Sequence, residues 1–553
     1  MRVALFALCI GLPLGVASAQ IAIYPRGIVN AATSAPGGLP NGSIALGSFF
    51  SIYGNLLGPA QSSKAQSFPL STTLANVSIT VGQGTAAVKA FPYYVSAGLI
   101  DAILPSNAPT GLQPVTVTYN GTTSAVSPVN IVPVSFNFFA FSGAGFGTAA
   151  AENIDAAGAY TFNSPQASAK PGQIVVAYGT GLGAITTPDS QAAPGNAPST
   201  PIQLFVGGVP TPVAYSGRAP GGAGEDQVNF TIPTNAPTGC WVPLYAVANG
   251  ITSNVVTLSI APNGGACSDP ANPLAQPFIT GKKLGTLLLL HTDTLEDLAV
   301  ETPVSVQNDL LIADFANTQQ PTPWPYAPLL SQPPPGSCTV IQQSGDVFTK
   351  FAASLNPENP LGVSPSFTVT GPSGATQASL PAGATIPAFL LGSAAPALGT
   401  LPNQLLLSPG NYTISAPAAG SVGAIQASVT MPASFSWTNR ATLSLINRAT
   451  PLTLNWTGLG ATQYMAIFGG DVDLPTNSSA AFYCLAPAGA SSFTVPSQIL
   501  AAIPASHAHE FKFRAALYLW TTPIANGSPL QVQGIDNAYA IPAYALGKTV
   551  IFQ

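Results

Sequence analysis

The sequence predicts an all-β protein, with tandem Ig-like β-sandwiches followed by two further β-rich units. Three observations support this fold class: short segments that alternate apolar and polar residues, frequent Gly, Pro and Asn between those segments, and an internal repeat. Gly (54 residues) and Pro (55 residues) together stay below the roughly 25–30% that is typical of disordered chains. The 553 residues, of which 46% are hydrophobic, are enough for several cores.

The first half of the chain contains two copies of one domain. Three segments recur in the same order, namely residues 51–58 with 176–183, residues 104–111 with 232–239, and residues 120–121 with 249–250. The offset between the copies grows slowly, from 125 to 129 positions. Collinear matches with a nearly constant offset indicate tandem duplication.

The segments within each copy have the pattern of sandwich strands. Residues 77–81 and 115–119 alternate polar and apolar side chains, whereas residues 174–176 are apolar and β-branched. Asn120-Gly121 lies between two such segments and predicts a two-residue hairpin turn. Each copy is therefore expected to fold as an Ig-like sandwich.

Several short motifs give the repeat a more specific resemblance. They are Tyr53-Gly54, residues 93–102, Lys170-Pro171-Gly172, residues 178–183, 207–210 and 226–229, and Ser253-Asn254. Together they resemble the uncharacterised repeat domain that is abundant in exported acidobacterial proteins, which is similar to the IPT/TIG group of Ig-like modules. The resemblance covers about residues 24–262. It implies an Ig-like fold and an exported context, and it brings no catalytic residues.

The remaining segments complete the predicted domain organisation. The expected divisions are a signal peptide over 1–19, sandwich copies over 20–134 and 135–262, an irregular Pro-rich linker with an acidic segment over 263–336, a β-sandwich-like unit over 337–432 and a C-terminal β-sandwich-like unit over 433–553. The Pro-rich stretch at 321–335 is typical of a linker or a covering loop. Residues 497–503 are expected to form the single short helix of the C-terminal unit.

The N-terminal residues have the features of a secretory signal. Arg2 precedes a mostly apolar stretch over residues 3–16, and Ala17-Ser18-Ala19 forms an A-x-A cleavage site. A membrane anchor is the alternative, but about 14 apolar residues are short for the roughly 20 that a spanning helix needs. We therefore expect a secreted, periplasmic or extracellular protein without a transmembrane anchor.

Removal of the signal leaves four cysteines, which an oxidising compartment would pair. Cys240 with Cys267 is the favoured pair because these residues bracket one short strand segment, and Cys338 with Cys484 then follows by default. Zinc binding is the competing interpretation, but the chain has no C-x-x-C pair.

The shortage of charge limits the possible partners. Only 6% of the residues are charged, and the pI is about 5.1. Fourteen scattered Lys and Arg residues do not form the basic stripe that nucleic-acid binding requires. A cell-surface or matrix protein or a polysaccharide is the expected partner class.

Catalytic motifs are scarce. The chain has three histidines, His291, His507 and His509, and residues 20–262 contain none, which excludes a Ser/His/Asp arrangement built within the repeat. The glycines of residues 179–183 have the spacing G-x-G-x-G and are followed by Pro188 rather than by a helix, so they predict a tight turn rather than a dinucleotide loop.

Clustered ionisable residues are weak candidates for a metal site. Six carboxylates fall within 22 residues, namely Asp293, Glu296, Asp297, Glu301, Asp309 and Asp314. Three interpretations of this cluster are a solvated face or loop, a Ca²⁺ site, and a glycosidase-type carboxylate pair. Asp471 and Asp473 alternatively share a cation, and His507 and His509 form a second candidate metal pair on one strand face. No other cofactor is expected.

Aromatic residues supply the candidate ligand-binding positions, namely Tyr93, Tyr94, Trp324, Tyr326 and Trp520. Because aromatics make only 8% of the chain, most of them are expected in cores. The leading hypothesis is a secreted, non-enzymatic β protein with an adhesion, matrix or scaffold role. The alternative is a carbohydrate-binding or carbohydrate-active protein whose site lies in residues 268–553.

Overall fold

The computed structural model describes residues 20–296, 304–319, 323–345, 359–380, 388–394, 405–507, 515–521 and 527–553. These residues are almost entirely strands and turns, which confirms the predicted all-β class. The proposed signal peptide, residues 1–19, lies outside the described residues.

The first sandwich consists of two facing, mostly antiparallel sheets. Its strands are β1 Ala22–Asn30, β2 Ile44–Ala45, β3 Phe49–Asn55, β4 Ser63–Lys64, β5 Val77–Val81, β6 Val88–Lys89, β7 Phe91–Val95, β8 Leu99–Ile103, β9 Gly111–Tyr119, β10 Thr122–Thr123 and β11 Ser127–Val132. One sheet has the order β1-β3-β8-β7-β4 and the other β2-β11-β9-β5-β6, with β10 paired to β9. Alternating inward residues such as Val77, Ile79 and Val81 fill the core between the sheets.

The second sandwich repeats this arrangement. Its strands are β12 Asn137–Phe138, β13 Gly147–Thr148, β14 Ala151–Ile154, β15 Tyr160–Phe162, β16 Ile174–Thr180, β17 Ile202–Val206, β18 Val209–Thr211, β19 Val213–Arg218, β20 Asp226–Thr231, β21 Gly239–Ala248, β22 Ile251–Thr252 and β23 Val256–Ile260. The sheet orders are β15-β14-β16-β20-β19 and β13-β23-β21-β17-β18, with β12 on β16 and β22 on β21. In both sandwiches the last strand pairs in parallel with a two-residue strand.

The two Asn-Gly dipeptides form equivalent hairpin turns, as the sequence predicts. Asn120 and Gly121 have φ values of 47° and 79°, and Asn249 and Gly250 have 49° and 77°. A two-residue turn with positive φ at both positions joins twisted strands without splaying them. Both turns connect the long strand of the sheet to its short partner.

The remainder of the described chain is organised around one nine-stranded sheet. Its strands are β24 Lys283–Glu296, β25 Val304–Asn317, β26 Ser337–Ser344, β29 Ala388–Ala394, β35 Met465–Asp473, β36 Ser478–Ala486, β38 Ala516–Thr521, β39 Ser528–Leu530 and β40 Asn537–Thr549. The order is β26-β36-β35-β38-β40-β24-β25-β29, with β39 paired to β40. The pairing of β24 with β40 is parallel, and the other pairings described in this sheet are antiparallel.

Three smaller sheets and two short helices complete the described elements. The strands are β27 Ser366–Gly371, β28 Gly374–Ser379, β30 Gly410–Ala416, β31 Ile425–Met431, β32 Ser436–Trp437, β33 Leu445–Ile446, β34 Leu452–Thr457, β37 Ser492–Val495 and β41 Ile551–Phe552, and the helices are α1 Ala275–Ile279 and α2 Ser497–Ala501. Single 3₁₀ turns occur at Gly84–Ala86 and Arg440–Thr442. Helix α2 lies where the sequence predicts one.

The expectation of an irregular linker over residues 263–336 is wrong for its central part. Strands β24 and β25 occupy that part and pair along fourteen residues each, in the interior of the nine-stranded sheet. The apolar residues of β24 are buried on both faces, so the segment lacks the alternation that identifies a half-buried strand.

The Pro-rich residues 323–336 act as a covering segment. Ala327 and Leu330 pack with Trp241 and Phe278 on one face of the nine-stranded sheet, and the Trp241 indole donates a hydrogen bond to the Pro325 carbonyl at 3.1 Å. The opposite face of the sheet packs against the smaller sheets in the largest core of the molecule.

The predicted division between residues 337–432 and 433–553 also differs from the structure. Strand β26 belongs to the first predicted unit and β36 to the second, yet the two strands pair directly, with Cys338 opposite Cys484. The two predicted units therefore share one sheet. Both predicted disulfides are present, Cys240–Cys267 and Cys338–Cys484.

A buried amide junction joins the two sandwiches to the nine-stranded sheet. The Asn41 amide donates to Asn137 Oδ1 and to Gln342 Oε1, at 2.8 Å each, and the Gln342 amide donates to the Ala502 carbonyl at 2.9 Å. All three amide side chains are buried. Buried amides need specific partners, and these three link both sandwiches to the nine-stranded sheet through side-chain hydrogen bonds.

Candidate functional site

A cleft of ≈ 420 Å³ lies between the nine-stranded sheet and the smaller sheets. The sheet contributes His291 and Asp293 from β24 and Tyr544 from β40, and the opposite wall includes Trp437 and Arg440. The remaining lining residues are Leu407, Ser408, Pro409, Ser434, Phe435, Ser436 and Leu546.

The register of the sheet places its four lining residues together. Strands β24 and β40 run in parallel with His291 beside Tyr544 and Asp293 beside Leu546. Side chains two positions apart on a strand share one face, so His291 and Asp293 both face the smaller sheets. The cleft thus begins where the apolar part of β24, which ends at Leu290, gives way to polar residues.

His291 is held by a buried carboxylate. Its Nδ1 lies 2.7 Å from Asp309 Oδ1, and Asp309 stands directly opposite His291 on β25. The other oxygen, Asp309 Oδ2, accepts the backbone N–H groups of Leu406 at 2.6 Å and Leu407 at 2.8 Å. The Asp309 side chain is 0% exposed, whereas that of His291 is 14% exposed. This arrangement places the hydrogen on Nδ1 and leaves Nε2 as the second polar atom of the ring.

Asp293 forms an ion pair with Arg440. The Arg440 Nη2 lies 3.1 Å from Asp293 Oδ1 and also donates to the Asp293 carbonyl at 2.7 Å. The same guanidinium donates to the Gly547 carbonyl through Nε and Nη2. Burial alone would raise the pKa of the Asp293 carboxyl, but the Arg440 hydrogen bond and charge, helped by Ser305, hold that pKa below its usual value.

Aromatic rings complete the walls. Trp437 and Phe435 are each 5% exposed, and the Trp437 indole donates to Asn439 Oδ1 at 3.0 Å. The Tyr544 ring meets the His291 imidazole edge to face, with the ring centroids 5.5 Å apart. Burial, together with the nearby Tyr412 and Asp309, raises the pKa of Tyr544 to about 12, so its hydroxyl stays protonated at physiological pH.

The chemistry of the cleft is that of a polar binding site. Its carboxylate Asp293 is paired with Arg440, its hydroxyl-bearing residues are serines and Tyr544, and other lining residues are aromatic. Among the described lining residues, Asp293 is the single carboxylate. The two-carboxylate arrangement of a glycosidase is therefore not assembled by the part of the cleft that the structure describes.

The six clustered carboxylates of the sequence do not form one site. Asp293 lines the cleft, Asp309 lies behind His291, and Glu296 belongs to the opposite face of β24, near Tyr518. Asp314 lies on β25 and is buried, whereas Asp297 and Glu301 fall outside the described residues.

Two of the other metal candidates, His507 and Asp473, lie in contact. His507 Nδ1 lies 3.2 Å from Asp473 Oδ1, and Asp471 Oδ2 accepts the Ser506 hydroxyl at 2.6 Å. No group of three or more His, Cys, Asp and Glu side chains in the described part of the chain has the arrangement of a metal site. His509 lies outside that part, and Ca²⁺ binding stays a prediction without structural support.

The five candidate aromatics lie away from the cleft. Tyr93 packs edge to face on Phe49 with Lys64 above its ring, and Tyr94 sits beside it on β7. The remaining three contact the surface between the second sandwich and the nine-stranded sheet: Trp324 stacks on Phe141 at 3.7 Å, Tyr326 lies against Phe146, and Trp520 packs between two core clusters.

Sequence reasoning did not single out Trp437, Arg440 or Tyr544. Trp437 and Arg440 lie more than 140 positions from His291 in the chain. No local sequence spacing therefore indicates that these residues share a cleft. The rarity of charge is a signal that could have identified Arg440. The chain has only 14 basic residues in 553, and an arginine that is largely buried needs a hydrogen-bonding or charged partner.

Comparison with known proteins gives little further information. No protein-family model and no curated protein matches the chain. Similar solved structures include a surface glycan-binding protein of Prevotella bryantii (12% identity, 42% of this chain and 41% of that chain, TM-score 0.14). Another is a protein from a xyloglucan utilization locus in Bacteroides uniformis, with 11% identity over 65% of this chain and 80% of that chain and a TM-score of 0.16. A third is a tandem of titin domains, with 7% identity over 70% of this chain and 94% of that chain and a TM-score of 0.12.

These similarities carry no functional argument. The chain spans 41% of the length of the Prevotella protein. The fold and the disulfides define the class: an all-β, multi-sandwich, disulfide-bonded protein. Within the residues described, no helix is long and apolar enough to cross a membrane.

Proposed function

We propose that this chain is an exported, non-enzymatic scaffold or adhesion protein that acts at the cell surface or outside the cell. The observation that carries the proposal is the buried junction of Asn41, Asn137 and Gln342, which ties the two sandwiches to the nine-stranded sheet. A junction of this kind suits a protein that holds surfaces in fixed positions.

Two further features support an exported scaffold. Disulfides persist in oxidising compartments, and the chain has two. The resemblance of residues 24–262 to the exported acidobacterial repeat domain, with its IPT/TIG-like character, belongs to the same proposal. The expected partners are cell-surface or matrix proteins or polysaccharides.

Co-sedimentation of the full mature chain with insoluble cell-envelope fractions, cellulose and chitin tests the scaffold role. We expect enrichment in at least one pellet over serum albumin treated in parallel. Small-angle X-ray scattering of the same sample is expected to fit a single rigid particle. Recovery at the albumin level in every pellet, or scattering from independently moving units, would count against the proposal.

A second candidate is a carbohydrate-binding protein, and the cleft around His291 favours it. Polar side chains beside aromatic rings are the usual composition of small-ligand sites. A carbohydrate-active enzyme of the glycosidase type needs two carboxylates about 5–10 Å apart across the ligand. Since Asp293 is the single carboxylate among the described lining residues, binding is the form of this candidate that we retain.

A further inference from the structure

We infer that the cleft binds a neutral saccharide, with His291 and the Asp293–Arg440 pair contacting its hydroxyls. The inference rests on the second candidate function and names the ligand class of its site. It is independent of the scaffold role.

The size of the cleft suits a short saccharide. Its ≈ 420 Å³ lies in the lower part of the range of roughly 300–1,000 Å³ that holds small molecules. Walls from both the nine-stranded sheet and the smaller sheets enclose it, which favours a ligand of one or two sugar rings over a long chain lying on a flat surface.

The charges in the cleft favour a neutral ligand. Asp293 is matched by Arg440 at 3.1 Å, and the charge of Asp309 is shared among His291 and two backbone N–H groups. An anionic ligand would find no uncompensated cation, and a cationic ligand would find no exposed, unmatched carboxylate. Charged ligands would thus lose hydration without gaining an ion pair.

His291 is an oriented hydrogen-bonding group. Asp309 holds Nδ1 and thereby fixes the plane of the ring, and no described residue forms a hydrogen bond with Nε2. The neutral ring offers Nε2 as an acceptor to a sugar hydroxyl. Since the orientation is set before the ligand arrives, binding does not have to order this side chain.

The Asp293–Arg440 pair adds a planar donor and acceptor side by side. Arg440 uses Nε and Nη2 in its described hydrogen bonds, and Asp293 uses Oδ1. Among the described residues, none bonds to Arg440 Nη1 or Asp293 Oδ2. These atoms are suited to neighbouring hydroxyls, one of which accepts while the other donates.

Titration calorimetry with the full chain tests the inference. The probes are cellobiose, maltose and β-1,4-galactobiose as neutral ligands, digalacturonate as the anionic ligand and chitosan dimer as the cationic ligand. We expect at least one neutral disaccharide to bind and both charged ones to bind at least about tenfold more weakly.

A pair of His291 variants locates the site. His291→Asn keeps an amide N–H near the position of Nδ1 to satisfy Asp309 and removes the group at Nε2, so we expect a folded protein with at least about tenfold weaker binding. His291→Gln places an amide nearer Nε2 and is expected to retain more of the affinity. His507→Asn, which alters a half-exposed histidine outside the cleft, is the control and is expected to bind as the wild type does.

Three results would overturn the inference. They are the absence of heat with every neutral disaccharide in a sample whose thermal transition is intact, tighter binding of a charged disaccharide than of any neutral one, and unchanged affinity in His291→Asn. None of them bears on the scaffold proposal, whose test uses pelleting and solution shape.

Discussion

Asp269 is a carboxyl whose folded environment opposes its charge. Its Oδ2 is buried, and no hydrogen-bond partner among the described residues reaches that oxygen. Burial raises the pKa of the Asp269 carboxyl to about 7, only partly offset by the backbone N–H of Ala271. In the unfolded chain the pKa of an aspartate is about 3.9. Between about pH 4 and pH 7, the native state therefore keeps a proton on Asp269 that the unfolded state has already lost.

We expect Asp269→Asn to stabilise the protein at high pH. Because the native state holds the extra proton, stability falls as pH rises from about 4 to 7 and is then level, and the amide removes this fall. The expected gain in the free energy of unfolding is about 1–3 kcal/mol at pH 8 and close to zero at pH 4. Chemical denaturation at both pH values measures it.

Asp155→Asn is the matched control for this measurement. Asp155 is exposed and accepts two backbone N–H groups in a turn, which an asparagine oxygen also accepts. An equal gain at pH 4 and pH 8 for Asp269→Asn, or the same pH profile in Asp155→Asn, would show that the buried carboxyl is not the cause.

At the scale of elements, strand β24 is an interior strand that links the two halves of the site-bearing sheet. It pairs with β25 on one side and with β40 on the other, and Leu287 and Leu289 are fully buried on the face toward the largest core. The same strand ends in the cleft with His291 and Asp293. Packing of its apolar half therefore positions the polar half that faces a ligand.

We expect Leu289→Ala to destabilise the molecule strongly. Removal of a fully buried leucine costs the transfer free energy of the lost methyl groups and leaves a cavity, together about 2–5 kcal/mol. Leu390→Ala on the neighbouring strand β29 is the control, because Leu390 is 48% exposed. Its expected cost is below about 1 kcal/mol. Equal shifts of the denaturation midpoint in the two variants would contradict this account.

Sequence patterns predicted some elements well and others not at all. The Asn-Gly hairpins and the alternating strand Val77–Val81 carry local signals, since turn chemistry and period-2 burial are readable within a few residues. Strand β24 carries no such signal, because both of its faces are buried by residues distant in sequence. The cleft was missed for the same reason, as Trp437 and Tyr544 meet His291 only through tertiary packing.

At the scale of the whole molecule, two disulfides close loops of different length. Cys240 and Cys267 are 27 positions apart, whereas Cys338 and Cys484 are 146 apart and cross-link paired strands. A disulfide that closes a longer loop restricts the unfolded chain more. The longer loop is therefore expected to contribute about 5 kcal/mol to the free energy of unfolding, and the shorter loop about 4 kcal/mol.

We expect the double change of Cys338 and Cys484 to alanine to lower stability more than the double change of Cys240 and Cys267. The loss in the free energy of unfolding is expected to be about 1–2 kcal/mol larger for the Cys338 and Cys484 variant, because its disulfide closes the longer loop. Denaturant titration of both double variants under oxidising conditions measures it, and the wild type under reducing conditions shows the combined loss. A larger loss for the shorter loop would contradict the ranking.

The amide junction gives a test of how the parts of the molecule are held together. Gln342→Ala removes the acceptor for Asn41 and the donor to the Ala502 carbonyl, leaving buried polar groups unpaired at a cost of about 1–3 kcal/mol. We expect faster proteolysis between the second sandwich and the nine-stranded sheet. The exposed Gln66→Ala is the control, and identical cleavage rates in both variants would speak against a locking role.

The parallel pairing of β24 with β40 also joins two strands that lie far apart in the chain. Leu284 lies beside Asn537, which is 253 positions later in the chain. One edge of the apolar strand β24 therefore stays unpaired until β40 has been synthesised. During that interval both the backbone edge and the leucines of β24 are open to other chains, as in other slow, non-local β topologies. We therefore expect β24 to be the segment most open to intermolecular association during refolding, until β40 pairs with it.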